Sequence, residues 1–391
     1  MELGIYYHIL AEERDGGVWV PGFFGRFLDA VAAANTRLVC FMHTGARGNL
    51  ALDYRLQASN IRFVNAGPAP TALRGTFTPS RWISRIRKEL MEPDVLVVRG
   101  PCPLLPALCD VRGKRPTALL LVGNLYTAAR RSRRGPVRRL LLHMWASYSA
   151  AQQTRRASRH LTFINSPQLR HGLTGGPDRV IEIRTTTLSE GDFVERPDTC
   201  LSAPLHVLLT GRLERAKGTL DALEVFAQFV AGGHDAHLDI VGWPAEGTPI
   251  LAEMDEAMHR LGIRDKVTFH GYRAAGPDLF AYYRTADIYL LPSWDESFPR
   301  TIWEAMAHSV PVVSTEVGSI PALVGEITEL APARDIEAIT HAMNRVVEDP
   351  VRRRAMIAGG LALARQNTQE RQVDVMMEHL NRLLQTFRGD V

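Results

Sequence analysis

Two stretches in the second half of the chain place phosphate- and sugar-binding residue types beside the ends of apolar runs. In LHVLLTGRLERAKGTLDALEVF an apolar strand ends at Thr210–Gly211 and a helix begins near Gly218, so Arg212 and Lys217 fall in the loop between them. A cation pair there, backed by the N–H groups of a helix start, is suited to hold a diphosphate and neutralise it as a leaving group. Two exposed loop cations are the other reading of the same pattern. In DIYLLPSWDESFPRTIWEAMAHSVPVVSTEVGSIPALV, Glu296 and Glu304 stand seven residues apart around a helix start at Pro299. Carboxylates so placed can accept hydrogen bonds from sugar and ribose hydroxyls, while the segment Ser297, Phe298, Pro299, Arg300 and Thr301 turns free N–H groups to an anion. Glycine at 318 lets backbone approach a ligand closely.

The elements that must carry these loops follow from alternation. Short β-branched runs alternate with helical segments along the whole sequence, the pattern of parallel sheets covered by helices. Strands are expected at Leu3–Ile9, Leu38–Phe41, Val95–Val98, Ala118–Val122, Leu161–Ile164 and Val180–Ile183, then at Leu205–Leu209, Leu238–Val241, Val267–Phe269, Ile288–Leu291 and Val310–Val313. The polar stretch ERPDTCLSAP, Glu195–Pro204, interrupts the rhythm and is the expected linker. Two doubly wound α/β domains result, residues 1–197 and 198–367, with ligands expected beyond the carboxyl ends of the strands. Residues 368–391 read as an amphipathic helix, with Val373, Met376, Leu380, Leu383 and Leu384 at helical spacing.

Taken in order, GRLERAKG, FHGYRAAGPDLFAYYRTADIYLLPS, ESFPRTIWEAMAHSVPVV and TEVGSIPALV resemble the motifs of family 4 retaining glycosyltransferases of the GT-B fold. The resemblance implies two Rossmann-like, doubly wound parallel-sheet domains facing across a cleft. The first would bind an acceptor and the second a nucleotide-diphosphate sugar, UDP- or GDP-linked, with the last helix packing back on the first. It implies that Gly211, Arg212 and Lys217 meet the donor diphosphate, that Glu296 contacts the donor sugar, that Glu304 binds the ribose, and that Gly271 and Tyr272 meet the base. Gly16 and Gly17, after the first strand, resemble the glycine loop that approaches the donor phosphate. The first half departs at Arg99, which stands where histidine is usual. Arg99 could orient an anionic acceptor, and the departing phosphate could itself take the acceptor proton. Ser309 and Ser319 stand where glycines are usual, and Ala322 where an acidic residue is.

Charge narrows the partners. The net charge of +4 over 391 residues divides unequally: residues 1–195 hold 27 Lys plus Arg against 15 Asp plus Glu. Thirteen cations and no acid lie between Val111 and Arg170, Arg130, Arg131, Arg133 and Arg134 among them. Such a field is either a solvated face or a surface for phosphates, including an anionic membrane. The short basic amphipathic run WISRIRKEL reads either as a helix packing on its domain with its cations reaching outward or as a membrane-surface contact. Aromatic platforms interleaved with the cations are sparse, which argues against nucleic acid. No Asp-x-Asp triplet occurs, so no metal is expected at the leaving group, and four cysteines without ligand spacing fit a reducing cytoplasm. No apolar run reaches the ~18–20 residues of a membrane span. The leading expectation is a metal-independent retaining hexosyltransferase in the cytoplasm, at the inner face of the membrane, acting on an anionic or lipid-linked glycan of the cell envelope. The alternative is a catalytically weak relative that binds nucleotide sugar and serves as a partner or regulator.

Overall fold

The structure is a computed structural model that describes residues 1–44, 52–123, 136–173, 176–245, 247–296 and 298–389. The chain forms two compact units, Met1–Thr185 with Glu370–Val391, and Thr186–Gln369. In the first, β1 (Glu2–Arg14), β2 (Gly17–Val20), β3 (Arg37–Thr44), β4 (Tyr54–Arg55), β5 (Ile61–Pro68), β6 (Val95–Gly100), β7 (Thr117–Leu121), β8 (Leu161–Ile164) and β9 (Val180–Glu182) form one sheet. Its parallel part runs β5-β3-β1-β6-β7-β8-β9, and β2 and β4 add an antiparallel edge to the far end of β1. The second unit holds a six-stranded parallel sheet of β10 (Leu205–Leu213), β11 (Ala236–Pro244), β12 (Val267–Gly271), β13 (Ile288–Leu291), β14 (Val312–Thr315) and β15 (Glu329–Ala331), in the order β12-β11-β10-β13-β14-β15. Runs such as Val95–Val98 and Val312–Thr315 are buried on both faces, because helices cover both sides of a parallel sheet.

Four expectations change. The linker stretch belongs to the second unit, and the division falls earlier, at Thr185/Thr186. Arg196 donates to the carbonyls of Ala286 and His308, at 2.8 and 3.1 Å, and Arg353 holds Asp198 at 2.7 Å. Its polar side chains are therefore anchors. Strand β5 was not expected, because Asn65, Gly67 and Pro68 dilute its apolar run. The first strand continues past Ile9 to Arg14 and turns back through Asp15 and Gly16, at φ +51° and +67°, into β2. Two successive positive φ values are what a two-residue hairpin turn requires, and Asp-Gly supplies them. Gly16 and Gly17 are thus in a hairpin, and no helix follows them directly. The helix Gly22–Ala33 starts five residues later, where the Gly22 N–H already donates to the Asp53 carboxylate at 2.7 Å.

The basic region between Val111 and Arg170 is not one face. Arg112 is buried at 1% exposure, where its guanidinium donates to the carbonyls of Leu90, Pro93, Asp94 and Pro116. Arg156 pairs with Asp110 at 2.8 Å. Arg130, Arg131, Arg133 and Arg134 lie outside the described residues. In WISRIRKEL, Trp82, Ile83, Ile86 and Leu90 are buried in the core of the first unit, so that helix packs inward and leaves its cations outside. The terminal helix, Gln369–Gly389, buries Val373, Met376, Met377, Leu380 and Leu384 in the same cluster as Phe24, Phe27 and Leu28 of the helix Gly22–Ala33.

Candidate active site

The site is built where the second sheet's strands end. Strand β10 runs on through Gly211 and Arg212 to Leu213, then a short turn, Arg215–Lys217, leads to the helix Thr219–Ala231. Gly218 joins turn to helix at φ +68°, and a Cβ there would overlap the Pro292 carbonyl. The loop after β10 therefore presses on the loop after β13. The Trp294 N–H donates to the Ala216 carbonyl at 3.0 Å, and its indole N–H reaches Asp221 at 2.7 Å beneath the Arg334 guanidinium.

This contact brings Lys217 and Glu296 together across 79 residues of sequence. The ammonium lies 2.7 Å from Glu296 Oε1, which also accepts from the Ser293 hydroxyl at 2.8 Å. Glu296 is 8% exposed, whereas the Lys217 side chain is a quarter exposed. A third loop closes on the same carboxylate residue. Gly318, at φ +58°, sits where a Cβ would overlap the Glu296 carbonyl, and the Ser319 N–H donates to that carbonyl. Three loops after β10, β13 and β14 thus converge on one Lys–Glu pair.

The remaining expected residues divide. Arg212 does not join Lys217; it is half exposed and pairs with Glu214 at 2.6 Å. It lies at the end of β10 opposite Trp243, not in the following loop. Glu304 is 4% exposed on the helix Arg300–Ala307, where Thr187 donates to Oε1 at 2.7 Å and Tyr283 to Oε2 at 2.9 Å. Thr210 ties the Tyr283 hydroxyl to Tyr289. Burial first, then the Glu304 carboxylate, raise the Tyr283 phenol well above its ordinary range, so it stays a donor. The expected row of free N–H groups is shortened, since Arg300 N–H is spent on the Phe298 carbonyl. Phe298 stacks on Trp303, Pro299 precedes the first turn, and Thr301 lies within that turn. Ser297 lies outside the described residues. His308 is fully buried, and its Nδ1 bonds the Glu304 carbonyl at 2.7 Å. Ser309 takes φ +59°, a conformation suited to glycine, and its hydroxyl donates to the Val194 carbonyl at 2.8 Å.

At the carboxyl ends of β11 and β12 the chain places an aromatic pair. Gly271 turns at φ +71°, Tyr272 follows, and Trp243, 46% exposed, meets the Tyr272 ring edge-on at 5.4 Å. Trp243, Trp294 and Thr187 were not singled out from sequence. For Trp243 the signal was its place at a strand end, in GWP. In the first unit, Arg99 at the end of β6 stacks its guanidinium on the Tyr7 ring at 3.7 Å.

Residues 204–349 match the family described as Glycosyl transferases group 1. The chain is 30% identical over 169 residues to the D-inositol 3-phosphate glycosyltransferase of Corynebacterium diphtheriae, a match covering 41% of this chain and 39% of that protein. Two solved structures share the whole fold: the sucrose-phosphate synthase of Thermosynechococcus elongatus and Anabaena HepE in complex with UDP and glucose. Their TM-scores are 0.72 and 0.71, their identities 18% and 17%, and they align over 98% of this chain and 99% and 100% of their own. The chain has the GT-B fold, and its second unit carries a glycosyltransferase group 1 domain.

Proposed function

We propose that the protein is a retaining glycosyltransferase that moves a sugar from a nucleotide-diphosphate donor, UDP- or GDP-linked, to an anionic or lipid-linked acceptor of the cell envelope. The carrying observation is the Lys217–Glu296 pair, held by three converging loops at the carboxyl ends of a parallel sheet. A parallel sheet leaves that end for ligands, and the pair has one member for each half of a donor. Lys217, with Arg212 swung from Glu214, neutralises the diphosphate. Glu296, fixed by Ser293, accepts hydrogen bonds from sugar hydroxyls. The Trp243–Tyr272 pair offers a face to the base.

In the transfer, the bond from the anomeric carbon to the diphosphate oxygen breaks and the acceptor oxygen bonds to the same face of that carbon. The acceptor proton passes to the departing phosphate, and the nucleoside diphosphate leaves. Charge developing on that leaving group is stabilised by Lys217 and Arg212. A panel of nucleotide sugars screened by thermal shift identifies the donor, because a ligand at 100 times its dissociation constant adds ~2.7 kcal/mol. Purified protein is then assayed for hydrolysis and transfer. Activity is expected to survive EDTA, since the two cations take the place of a metal at the leaving group; arrest by EDTA and restart with Mg²⁺ or Mn²⁺ refutes that part.

One observation favours the second reading, a nucleotide-sugar-binding partner or regulator. Glu304 is buried with a protein donor on each oxygen, so a ribose reaches it only if Thr187 or Tyr283 gives way. Donor binding without hydrolysis or transfer would decide for that reading.

A further inference from the structure

In the first unit a cavity of about 250 Å³ opens beyond the carboxyl end of β5, lined by Pro68, Thr71, Arg74, Arg81, Trp82 and Arg85. Trp82 forms a fixed wall, 8% exposed, with its indole N–H donated to the Pro68 carbonyl at 2.7 Å. Gly67 stands at φ +80°, and a Cβ there would overlap the Arg85 guanidinium, so the glycine makes the space that Arg85 occupies. None of the three arginines has an ion pair or a side-chain hydrogen bond among the described residues, and residues 54–88 contain seven Lys plus Arg and no Asp or Glu. The three guanidiniums are exposed around one cavity, where an anion with several oxygens can join them. Among the described residues nothing supplies that anion.

The surface beside the cavity is apolar. The helix Ala72–Phe77, which contributes Arg74, also exposes Leu73 and Phe77 at 59% and 67%. Phe77 stacks on Tyr148 at 6.3 Å, and Leu140 and Met144, two turns and one turn earlier in the helix Pro136–Ala157, are 61% and 62% exposed. Five large exposed apolar side chains on two helices exceed the scattered singles of an ordinary surface.

We propose that this cavity and its apolar margin bind an amphiphilic phosphate ester at a membrane surface, its phosphate among Arg74, Arg81 and Arg85 and its hydrocarbon against Leu73, Phe77 and Tyr148. Charge decides the occupant: a second copy would bring the same cations to the contact, whereas an anionic lipid complements both parts. The inference rests on the transferase reading only in taking this lipid as the acceptor, and its test uses no donor. Flotation is measured with phosphatidylcholine vesicles and with equal parts phosphatidylcholine and phosphatidylglycerol, using the full chain, the variant R74Q/R81Q/R85Q and the variant L73S/F77S. The full chain is expected to bind the mixed vesicles only. The triple variant is expected to bind them roughly a hundredfold more weakly and the apolar variant at least tenfold more weakly. Circular dichroism and the urea midpoints of both units, all unchanged, show that the variants fold. Equal vesicle binding by the triple variant overturns the cavity's role. Tight calorimetric binding of glycerol phosphate with full vesicle binding by L73S/F77S would assign the cavity to a soluble phosphate ester, and self-association lost in L73S/F77S would assign the apolar margin to a second copy; either overturns the lipid.

Discussion

Lys217 and Glu296 show how one ion pair can be poised for a ligand. The ammonium is held 2.7 Å from Glu296 and yet is a quarter exposed; in the proposed function an incoming diphosphate draws it away while Ser293 keeps the carboxylate in place. Lys217→Ala should weaken nucleoside diphosphate binding by ~1.5–3 kcal/mol, the worth of one charge-assisted hydrogen bond. Arg212→Ala should cost less, because Arg212 must first leave Glu214. Calorimetry on both variants checks this, and unchanged affinity in Lys217→Ala removes the pair from the site. Gly318 is sensitive for a different reason. Alanine at φ +58° carries roughly 1–2 kcal/mol of backbone strain, and its Cβ overlaps the Glu296 carbonyl. Gly318→Ala should lower the urea midpoint of the second unit and the donor affinity together; an unshifted midpoint contradicts the close approach.

Among the elements, the terminal helix is the most exposed to test. It is distant in sequence from the unit it completes, and its apolar stripe lies in the core beside Phe24 and Phe27. Leu380 is fully buried, so Leu380→Ala should destabilise the first unit by ~2–5 kcal/mol, with the cavity left behind as the cause. Val375 is 37% exposed on the same helix, and Val375→Ala should stay within ~0.5 kcal/mol. Denaturant midpoints of the two variants separate these outcomes, and equal losses would mean that the helix face is assigned wrongly. The helix was legible from its 3.6-residue period because a long amphipathic run repeats its signal. Strand β5, a single eight-residue strand with a glycine and a proline near its end, gives no such repetition.

Across the whole molecule, buried histidines set the acid limit. Burial, with a smaller contribution from His43, lowers the His8 imidazole to about 4, and burial lowers His43, His160 and His308 as well. The folded state holds these rings neutral, whereas the unfolded chain protonates them near 6.5. Between those values the unfolded state binds more protons, so stability is lost as pH falls from 6.5 towards 4 and the loss ends once His8 is protonated in both states. Three of the four rings lie in the first unit, which should therefore lose more stability than the second over that window. Unfolding midpoints recorded for each unit from pH 7 to pH 4 check the sign and the order; a first unit unaffected over that range contradicts it.

What the sequence determined by itself was local or periodic. Alternating runs specify two parallel α/β sheets, since burial on both faces leaves an unbroken apolar strand, and the loop positions of Lys217 and Glu296 follow from where those strands stop. Short-range spacing could not show where Glu304 would point. Its partners Thr187 and Tyr283 lie 117 and 21 residues away, and the carboxylate takes them because burial leaves a charged group no water to bind. Nor could composition separate the cations. Arg112 became a buried clip on four carbonyls, while Arg74, Arg81 and Arg85 gathered around one cavity. A charge seen in sequence has a sign and no surroundings. Only the folded chain decides whether a carbonyl, a carboxylate or solvent faces it, and that choice sets its energy.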